Sequence, residues 1–436
     1  MGTARDVANH RTTRKWELFI VNHSHIDVGF TDTQERIARY HAQFMRQAVD
    51  EALSPKQRNR SPDARFKFTI EGVWTLEQYL SHAGPDDIGR LVEGFRQELL
   101  ELSPFYLHMS ELLDYGHLHD SLKPAKTFAD RYGVRLDCAM ASDINGFAWG
   151  MAEALYDAGV RYLATNINTH HGGYPFGKPL VPFYWETPSG KKLLVWSGFS
   201  YHKANLLGLM SGLNPDTDPG IPGLILEGGG GYVDVRDISM AERKLFPLLE
   251  ALERDGYPYA FLPLMGSGLY TDNSPAGDGY CRIIERWNEK YGDQVHIRTS
   301  TLKEFFEHLE NEAGPLPTYR GDWNDWWSDG TISTPLETAV FRHAQRTKRL
   351  VEKLDPEHRV VSRERLEAVT KPLLLYAEHT WGHSHSWSHP WDELVQRTFL
   401  RKIKYAIEAD ERANDALLDV LKSRGEGDFV VDRPFR

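Results

Sequence analysis

The chain has 436 residues and a formal net charge of −11, with 41% apolar and 26% charged residues. This composition is ordinary for a soluble globular enzyme, and the length predicts two or three domains, or one barrel with an appended domain. The sequence has no block of Lys or Arg with interleaved aromatic residues, which argues against nucleic acid or an anionic membrane as a partner. The composition is also compatible with a homo-oligomer.

The start of the chain carries no targeting signal that we recognise. Met1–Trp16 is polar and lacks the apolar core of a secretory signal or an anchor, and we expect residues 1–14 to be flexible. No stretch approaches the roughly 18 apolar residues that a membrane span needs. Cys138 and Cys281 are the only cysteines, which is typical of a reducing compartment, so we expect a cytoplasmic protein.

Short apolar runs alternate with amphipathic stretches through the first two thirds of the chain. This alternation predicts an α/β fold with mainly parallel strands and outer helices, and about seven strands indicate a (β/α)7-type barrel over residues 15–316. The predicted strands are Leu18–Val21, Phe66–Ile70, Leu136–Ala141, Tyr162–Thr165, Leu193–Trp196, Phe261–Met265 and Val295–Thr299. The predicted helices include Thr33–Leu53, Asp87–Glu101, Gly150–Ala158 and Gly279–Lys290.

Two departures from this alternation divide the chain. The Gly- and Pro-rich segment Gly212–Tyr232 lacks the Lys-Ser/Thr of a phosphate-binding loop, so we expect a flexible loop over the site. After Pro317 the pattern becomes helical, and it predicts a three-helix bundle over residues 317–436. The first predicted helix of the bundle starts at Ser333. The second and third are predicted over Ser362–Ala377 and Trp391–Ser423.

The most informative motif is His23–Phe30, with the sequence HSHIDVGF, directly after the apolar run Leu18–Val21. Such a run predicts a buried strand, and the loops after strands of α/β proteins commonly carry chemistry. Side chains two residues apart on an extended segment point the same way, so His23, His25 and Asp27 are expected to project together. Two imidazoles and a carboxylate form half of a site for a divalent metal such as Zn²⁺.

Two later segments contain residues that can complete such a site. Asp143 follows the predicted strand Leu136–Ala141 and precedes a glycine-containing turn. The segment Glu378–His389 has four histidines within eleven residues, where a predicted helix ends. Interleaved tryptophans indicate a shaped pocket there, and they are Trp381, Trp387 and Trp391.

Taken together, these segments resemble the motifs of glycoside hydrolase family 38, the α-mannosidases. The first motif is similar to the family's His-x-Asp unit, which implies that His25 and Asp27 bind Zn²⁺. Asp143 matches the aspartate that both ligates the metal and attacks the anomeric carbon, and His379 matches the histidine that completes the metal shell. Further resembling segments follow in the family's order, namely Phe66–Glu71, Tyr184–Gly190 and Ser300–Phe306.

The resemblance implies a metal-dependent retaining α-glycosidase that hydrolyses α-linked glycans or glycosides through a glycosyl–Asp143 intermediate. It implies a carbohydrate as the substrate partner and one divalent metal, expected to be Zn²⁺. A metal that holds two sugar hydroxyls would orient the ring and favour an oxocarbenium-like transition state. Because the family binds metal through the second histidine of this motif, His23 is expected behind the metal or against the substrate.

The sequence departs from the family pattern at the general acid. Retaining hydrolysis needs a second carboxyl group about 5–5.5 Å from the nucleophile. Family members carry an Asp pair at the end of the corresponding strand, where this chain has Ser267 and Gly268. The nearest substitute is Asp272, with Asp325 and Asp329 further along the chain, and we predict Asp272 as the acid.

Several aromatic, histidine and acidic residues are candidates for the sugar subsite. Aromatic faces suit the C–H faces of sugars, and the chain has 12 Trp and 19 Tyr. Each candidate is equally plausible as a core or capping residue. The predicted substrate contacts are His23, Phe30, Glu71, Trp74, His170, His171, Tyr201 and Trp327.

Three other functions fit parts of the pattern. An amidohydrolase-type barrel would bind metal through both His23 and His25, but it needs a bridging Lys and two histidines at later strand ends. A polysaccharide deacetylase-like enzyme would use Asp-His-His ligation, and its own motifs are not evident. A carbohydrate-binding relic would keep the metal and lack the general acid.

Overall fold

The computed structural model describes residues 12–169, 172–213, 232–323, 327 and 329–426, and within them the chain has an α/β fold. Its strands are β1 (Trp16–His25), β2 (Phe68–Ile70), β3 (Leu100–Leu102), β4 (Cys138–Asp143), β5 (Tyr162–Ile167), β6 (Val181–Glu186), β7 (Lys192–Gly198), β8 (Gly212–Leu213), β9 (Tyr232–Val233), β10 (Phe261–Asp272), β11 (Val295–Ser300) and β12 (Thr318–Arg320). Its α-helices are α1 (Gln34–Ala52), α2 (Val73–Leu80), α3 (Pro85–Arg96), α4 (Tyr115–Tyr132), α5 (Trp149–Asp157), α6 (Lys203–Leu206), α7 (Ser239–Arg254), α8 (Gly279–Tyr291), α9 (Leu302–Glu312), α10 (Asp329–Ser333), α11 (Pro335–Leu354), α12 (Arg363–Ala377) and α13 (Glu393–Ser423). None of the helices in these ranges is long and apolar enough to cross a membrane.

The strand β1 lies at the centre of the first core. Its residues Leu18, Ile20 and Val21 are completely buried. It pairs in parallel with β10 on one side and with β11 on the other. A parallel strand of this kind is covered on both faces, which explains why its sequence is continuously apolar instead of alternating. The predicted strand at 18–21 is confirmed, and β1 continues to His25.

A second sheet has the strand order β12-β6-β7-β5-β4. All its pairs are parallel except β6 with β7, which form a hairpin whose turn contains Gly190 at a φ of 83°. Trp185 and Trp196 fill the interior on either side of this hairpin. The strand β4 ends the sheet and carries Asp143 as its last residue.

The predicted mainly parallel α/β architecture is confirmed, and each of the seven predicted strands overlaps an observed one. A closed barrel is not confirmed, because the hydrogen-bonded ladders of the described residues form separate sheets of three, five, two and two strands. The predicted helix Asp87–Glu101 is too long, since α3 ends at Arg96 and the chain pairs as β3 from Leu100. The five-stranded sheet also continues through β12 at residues 318–320.

Between Asp329 and Ser423 the described chain is mostly helical, as predicted. Helices α11 and α12 both pack along α13, which is the longest helix among the described residues with 31 residues. Small side chains on one face of α13 permit this close approach, and the buried ones are Ala406, Ala409, Ala413 and Ala416. Helix α12 begins with the Ser362 side chain accepting the Arg365 N–H, and it ends at Ala377, just before the histidine-rich segment.

Ile20→Ala should destabilise the fold by about 2–5 kcal/mol, because it opens a cavity in a completely buried strand. Ile407→Ala is the matched control, since Ile407 on α13 is 43% exposed and its truncation should cost under about 1 kcal/mol. Urea and thermal unfolding midpoints measure both effects. Equal midpoints for the two variants would contradict the central role of β1.

Candidate functional site

Two strand ends and one helix end bring together four residues, two histidines and two aspartates, of types that commonly bind metals. His25 is the last residue of β1 and Asp27 follows it, Asp143 is the last residue of β4, and His379 follows α12. Their ligand atoms all lie within 4.8 Å of one another. Each of the four residues is at most 6% exposed. Residues far apart in sequence therefore form one buried cluster.

The two imidazoles face the same pair of carboxylate oxygens. Nε2 of His379 lies 3.2 Å from Oδ1 of Asp27 and 3.2 Å from Oδ2 of Asp143. Nε2 of His25 lies 3.7 Å and 3.8 Å from the same two oxygens. The four side chains thus surround one point with two nitrogen and two oxygen atoms.

The bonding within this cluster is incomplete in the way a metal site requires. Nε2 of both imidazoles lacks a hydrogen-bond partner. The Thr380 hydroxyl lies 3.0 Å from Oδ1 of Asp27 and 2.6 Å from Oε1 of Glu378, although its single hydrogen can serve only one of them. Burial opposes protonation of His379, but Asp143 and Asp27 more than offset this effect and raise the pKa of the imidazole well above its usual value. The cluster therefore attracts positive charge.

The donor set also suits zinc. Two neutral imidazole nitrogens and two carboxylate oxygens are common tetrahedral zinc ligands, and the two negative charges balance a divalent ion. His25, Asp27, Asp143 and His379 could therefore hold one divalent metal.

A buried carboxylate lies behind the first imidazole. Glu71 directly follows β2, and its Oε1 lies 3.2 Å from Nδ1 of His25, in hydrogen-bond geometry, and 2.9 Å from Nε2 of His108. Burial disfavours a charged Glu71, but His25, His108 and His23 more than offset it and hold the pKa of this carboxyl well below its usual value. A carboxylate behind a metal-binding imidazole fixes the ring and its tautomer.

The strand β10 leaves regular pairing with β1 close to the cluster. His23 pairs with Ser267, yet His25 pairs with Asp272, so residues 267–272 span the same length as residues 23–25. Gly268 and Thr271 adopt φ values of 44° and 94° within this excursion. Bulges of this kind re-aim side chains at strand ends. This one brings Asp272 alongside His25.

Asp272 has a different environment from the four cluster residues. The Tyr201 hydroxyl donates a hydrogen bond of 2.6 Å to Oδ1 of Asp272, and the Tyr201 ring stacks on His25 with centroids 4.0 Å apart. Desolvation of the carboxyl, together with the negative charge of Asp27, raises the pKa of Asp272 to about 7. Asp272 is also partly exposed. A carboxyl that holds its proton near neutral pH has the property of a general acid.

Sequence reasoning missed two asparagines that contact the aspartates of the cluster, one at a side chain and one at the main chain. Asn168 donates from Nδ2 to Oδ1 of Asp143 at 2.7 Å. Asn273 accepts the Asp27 N–H at Oδ1, and the same oxygen lies 2.9 Å from Nε2 of His41. Their position was the available signal, because Asn168 follows β5, the neighbour of β4, and Asn273 directly follows Asp272.

A family model described as the glycosyl hydrolases family 38 N-terminal domain matches residues 15–322. The chain belongs to glycoside hydrolase family 38. A comparison with curated protein sequences gives no match.

Solved structures of family 38 proteins share the fold. An α-mannosidase from Enterococcus faecalis V583 is 14% identical with a TM-score of 0.65, and the alignment covers 94% of this chain and 43% of that one. Another family 38 protein from Enterococcus faecalis is 13% identical with a TM-score of 0.59, covering 95% and 41% of the two chains. This chain thus spans about two fifths of their length.

The fold is also similar to that of a second glycoside hydrolase family. A GH57 branching enzyme from Thermococcus kodakaraensis is 12% identical with a TM-score of 0.53, and the alignment covers 95% of this chain and 92% of that one. At such identities the likeness concerns the fold alone.

Within this family 38 chain, the predicted substrate contacts lie in different surroundings. Phe30 joins the first motif to the histidine-rich segment through backbone hydrogen bonds to Gly382 and Ser384. Trp74 is 4% exposed and packs against His41. Trp327 donates from Nε1 to the His379 carbonyl at 2.9 Å. His170 and His171 lie outside the described residues.

The other predicted contacts lie against the cluster itself. Tyr201 lies against His25 and Asp272, whereas Glu71 is buried behind His25. The tryptophans of the histidine-rich segment differ from one another, since Trp381 is partly buried while Trp387 and Trp391 are 83% and 86% exposed. The last two therefore do not line an enclosed pocket.

His23 is turned away from the cluster. Its Nε2 lies 2.9 Å from the Tyr201 carbonyl oxygen, and its Nδ1 lies 3.5 Å from Oε2 of Glu71. Among the described residues, the cluster of four does not include it. An amidohydrolase-type site would need both His23 and His25 at one ion, and this orientation does not provide it.

We expect about one zinc ion per chain in the wild-type protein, and loss of that ion in His25→Ala and in His379→Ala, because each variant removes one of two imidazole ligands. His343→Ala is the control, since the His343 side chain is 53% exposed and lies outside the cluster. Elemental analysis after dialysis against dilute zinc measures the content. A wild-type protein without metal, even after supply of zinc or manganese, would refute the site.

Proposed function

We propose that this chain is a metal-dependent retaining α-glycosidase, with α-mannosides as the first substrates to test. The observation that carries the proposal is the position of Asp143, whose carboxylate faces both imidazoles of the cluster while Asp272 lies beside His25 across β1. Membership of family 38 supports glycoside hydrolysis, and the Enterococcus faecalis α-mannosidase supports the choice of sugar.

In this proposal Asp143 is the nucleophile. Burial opposes its ionisation, but the neighbouring His25 and His379 hold the pKa of the Asp143 carboxyl far below its usual value. Asn168 holds Oδ1, while Oδ2 faces the imidazoles. The ionised carboxylate attacks the anomeric carbon and forms a glycosyl–Asp143 ester as the glycosidic bond breaks. A divalent metal held by the cluster, with Zn²⁺ as our choice, would orient the sugar hydroxyls and stabilise developing charge.

Asp272 is the proposed general acid and base. Tyr201 donates to Oδ1, and in this proposal the other carboxyl oxygen, Oδ2, carries the proton and gives it to the departing glycosidic oxygen. The resulting carboxylate then takes a proton from the water that hydrolyses the ester, which restores Asp272 in its acid form and releases a sugar of retained configuration. An intact acid argues against a carbohydrate-binding relic.

We further propose that residues 15–316 form a (β/α)7-type catalytic barrel and that the helices within residues 317–436 form a three-helix bundle, while β12 at residues 318–320 adds an edge strand to the five-stranded sheet of the first unit. Asp27 and Asp143 belong to the first unit and His379 to the second. The site then lies at their junction, where backbone hydrogen bonds join His379 to His108 and Ser110 to Ala377.

Turnover of p-nitrophenyl α-mannoside is the first test. The wild-type protein loaded with zinc should be active, and Asp143→Ala should lower kcat by at least about 10⁴-fold because the nucleophile and one metal ligand are lost together. Zinc removal with a chelator should abolish activity and zinc should restore it. A metal-loaded wild type that cleaves no α-glycoside would refute the glycosidase.

The variant Asp272→Asn tests the role of the general acid separately from that of the nucleophile. Its kcat should fall about 10²–10⁴-fold on an alkyl α-mannoside but much less on a p-nitrophenyl one, because a good leaving group needs little protonation. Asp130→Asn on the exposed face of α4 should match wild type on both substrates. An equal loss on both leaving groups would show that Asp272 is not the acid.

A further inference from the structure

Helix α13 supplies a buried ammonium group next to the metal cluster. Lys402 is 2% exposed, although it is a lysine in the middle of a helix. Its Nζ donates to the Leu375 carbonyl at 2.9 Å, to the Glu378 carbonyl at 2.7 Å and to Oε2 of Glu378 at 3.1 Å. An ammonium has three donors, so all of them go to the last turn of α12 and the residue that follows it.

Glu378, which Lys402 holds, lies directly against the cluster residue His379. Oε1 of Glu378 lies 3.0 Å from Nδ1 of His379 and accepts the Thr380 hydroxyl at 2.6 Å. Glu378 is completely buried. The 3.0 Å contact is not in hydrogen-bond geometry, but the negative charge of Glu378 beside Nδ1 favours the tautomer of His379 that carries its proton there and leaves the Nε2 lone pair for the metal.

Backbone contacts already hold the main chain of this segment. The His379 N–H donates to the His108 carbonyl, and the Ser110 N–H donates to the Ala377 carbonyl. These bonds fix the peptides, and the ring of His379 packs against the rings of His25, His108 and Trp327. On the Nδ1 side of the ring, the contacting charged group is Glu378, which Lys402 holds in turn.

A gain in stability alone does not explain why Lys402 and Glu378 form a buried ion pair. Burying an ion pair costs much of the Coulombic energy it returns, and a well-packed apolar pair is often as stable. A buried pair whose carboxylate contacts a metal ligand has a further use, because partners of this kind tune metal affinity.

We infer that Lys402 is a positioning residue of the metal centre, acting through Glu378 on His379. The inference rests on the proposed function, because it takes the four-residue cluster as the metal site. It makes helix α13, which contributes no ligand, part of what determines metal affinity. Metal binding and the docking of α13 on α12 are then linked equilibria, each favouring the other.

Zinc affinity, measured by competition with a chromophoric chelator, tests the inference without any assay of activity. Glu378→Gln and Lys402→Met should each weaken zinc binding about 10–100-fold. Lys402→Met leaves Glu378 unpaired and is at risk of unfolding, so the double variant Glu378→Gln/Lys402→Met replaces the ion pair by neutral side chains of similar volume. Its loss should be close to that of one single variant, because the two residues act in series.

Lys348→Met is the matched control. Lys348 is a second buried lysine of the helical region, 3% exposed at its side chain and paired with Asp120 and Glu352, and it makes no contact with the cluster. Its zinc affinity should stay within about twofold of wild type. The Co²⁺-substituted proteins should show a changed visible spectrum for Glu378→Gln and for Lys402→Met, and an unchanged one for Lys348→Met.

The outcomes separate the inference from the function on which it rests. Wild-type affinity in Glu378→Gln or in the double variant overturns the inference, as do losses that multiply in the double variant. If the wild-type protein itself binds no zinc, the proposed metal centre fails. A wild type that binds zinc alongside variants that bind it equally well refutes only the role of Lys402.

Discussion

The burial of negative charge is the constraint on which this site depends. Five carboxylates lie within or against one cluster, and an isolated buried carboxylate would cost several kcal/mol. They are Asp27, Asp143, Glu71, Glu378 and Asp272. They meet the cost in three ways: Asp27, Asp143 and Glu71 lie against imidazoles, Glu378 has an ammonium partner, and Asp272 has a pKa raised to about 7, so it can keep a proton near neutral pH. Chemically similar side chains are therefore held in different electrostatic environments.

The framework that presents these groups is shared more widely than the groups themselves. A family 57 branching enzyme has a similar fold at 12% identity, so the α/β framework alone does not determine a reaction. What distinguishes a site is which side chains stand at the ends of the strands and helices. Here β1 and β4 each end on a cluster residue, and the end of α12 leads into another.

The four cluster residues could be proposed from the sequence because they stand at or near the ends of predicted elements and because their motifs resemble those of family 38. His25 and Asp143 end apolar strands, whereas the choice of His379 among four histidines of its segment rested on the resemblance. The sequence could not show how Asp272 reaches the site, because that depends on the irregular pairing of β10 with β1. It was equally silent on Glu378 and Lys402, whose contact requires that α13 pack back on α12. The strands β3 and β12 have only three residues each, which is too short for an alternation of apolar and polar residues to predict them.

The excursion of β10 has a consequence for how homologues should be aligned. In a strand, one residue advances the chain by about 3.3 Å and reverses the direction of its side chain. An insertion or deletion between Ser267 and Asp272 can therefore be absorbed in the excursion while the carboxyl stays beside His25. Homologues with a different segment length can carry the matching carboxyl at another alignment column and still present it at the same point in space. Column-by-column comparison would record such proteins as lacking a carboxyl that they retain.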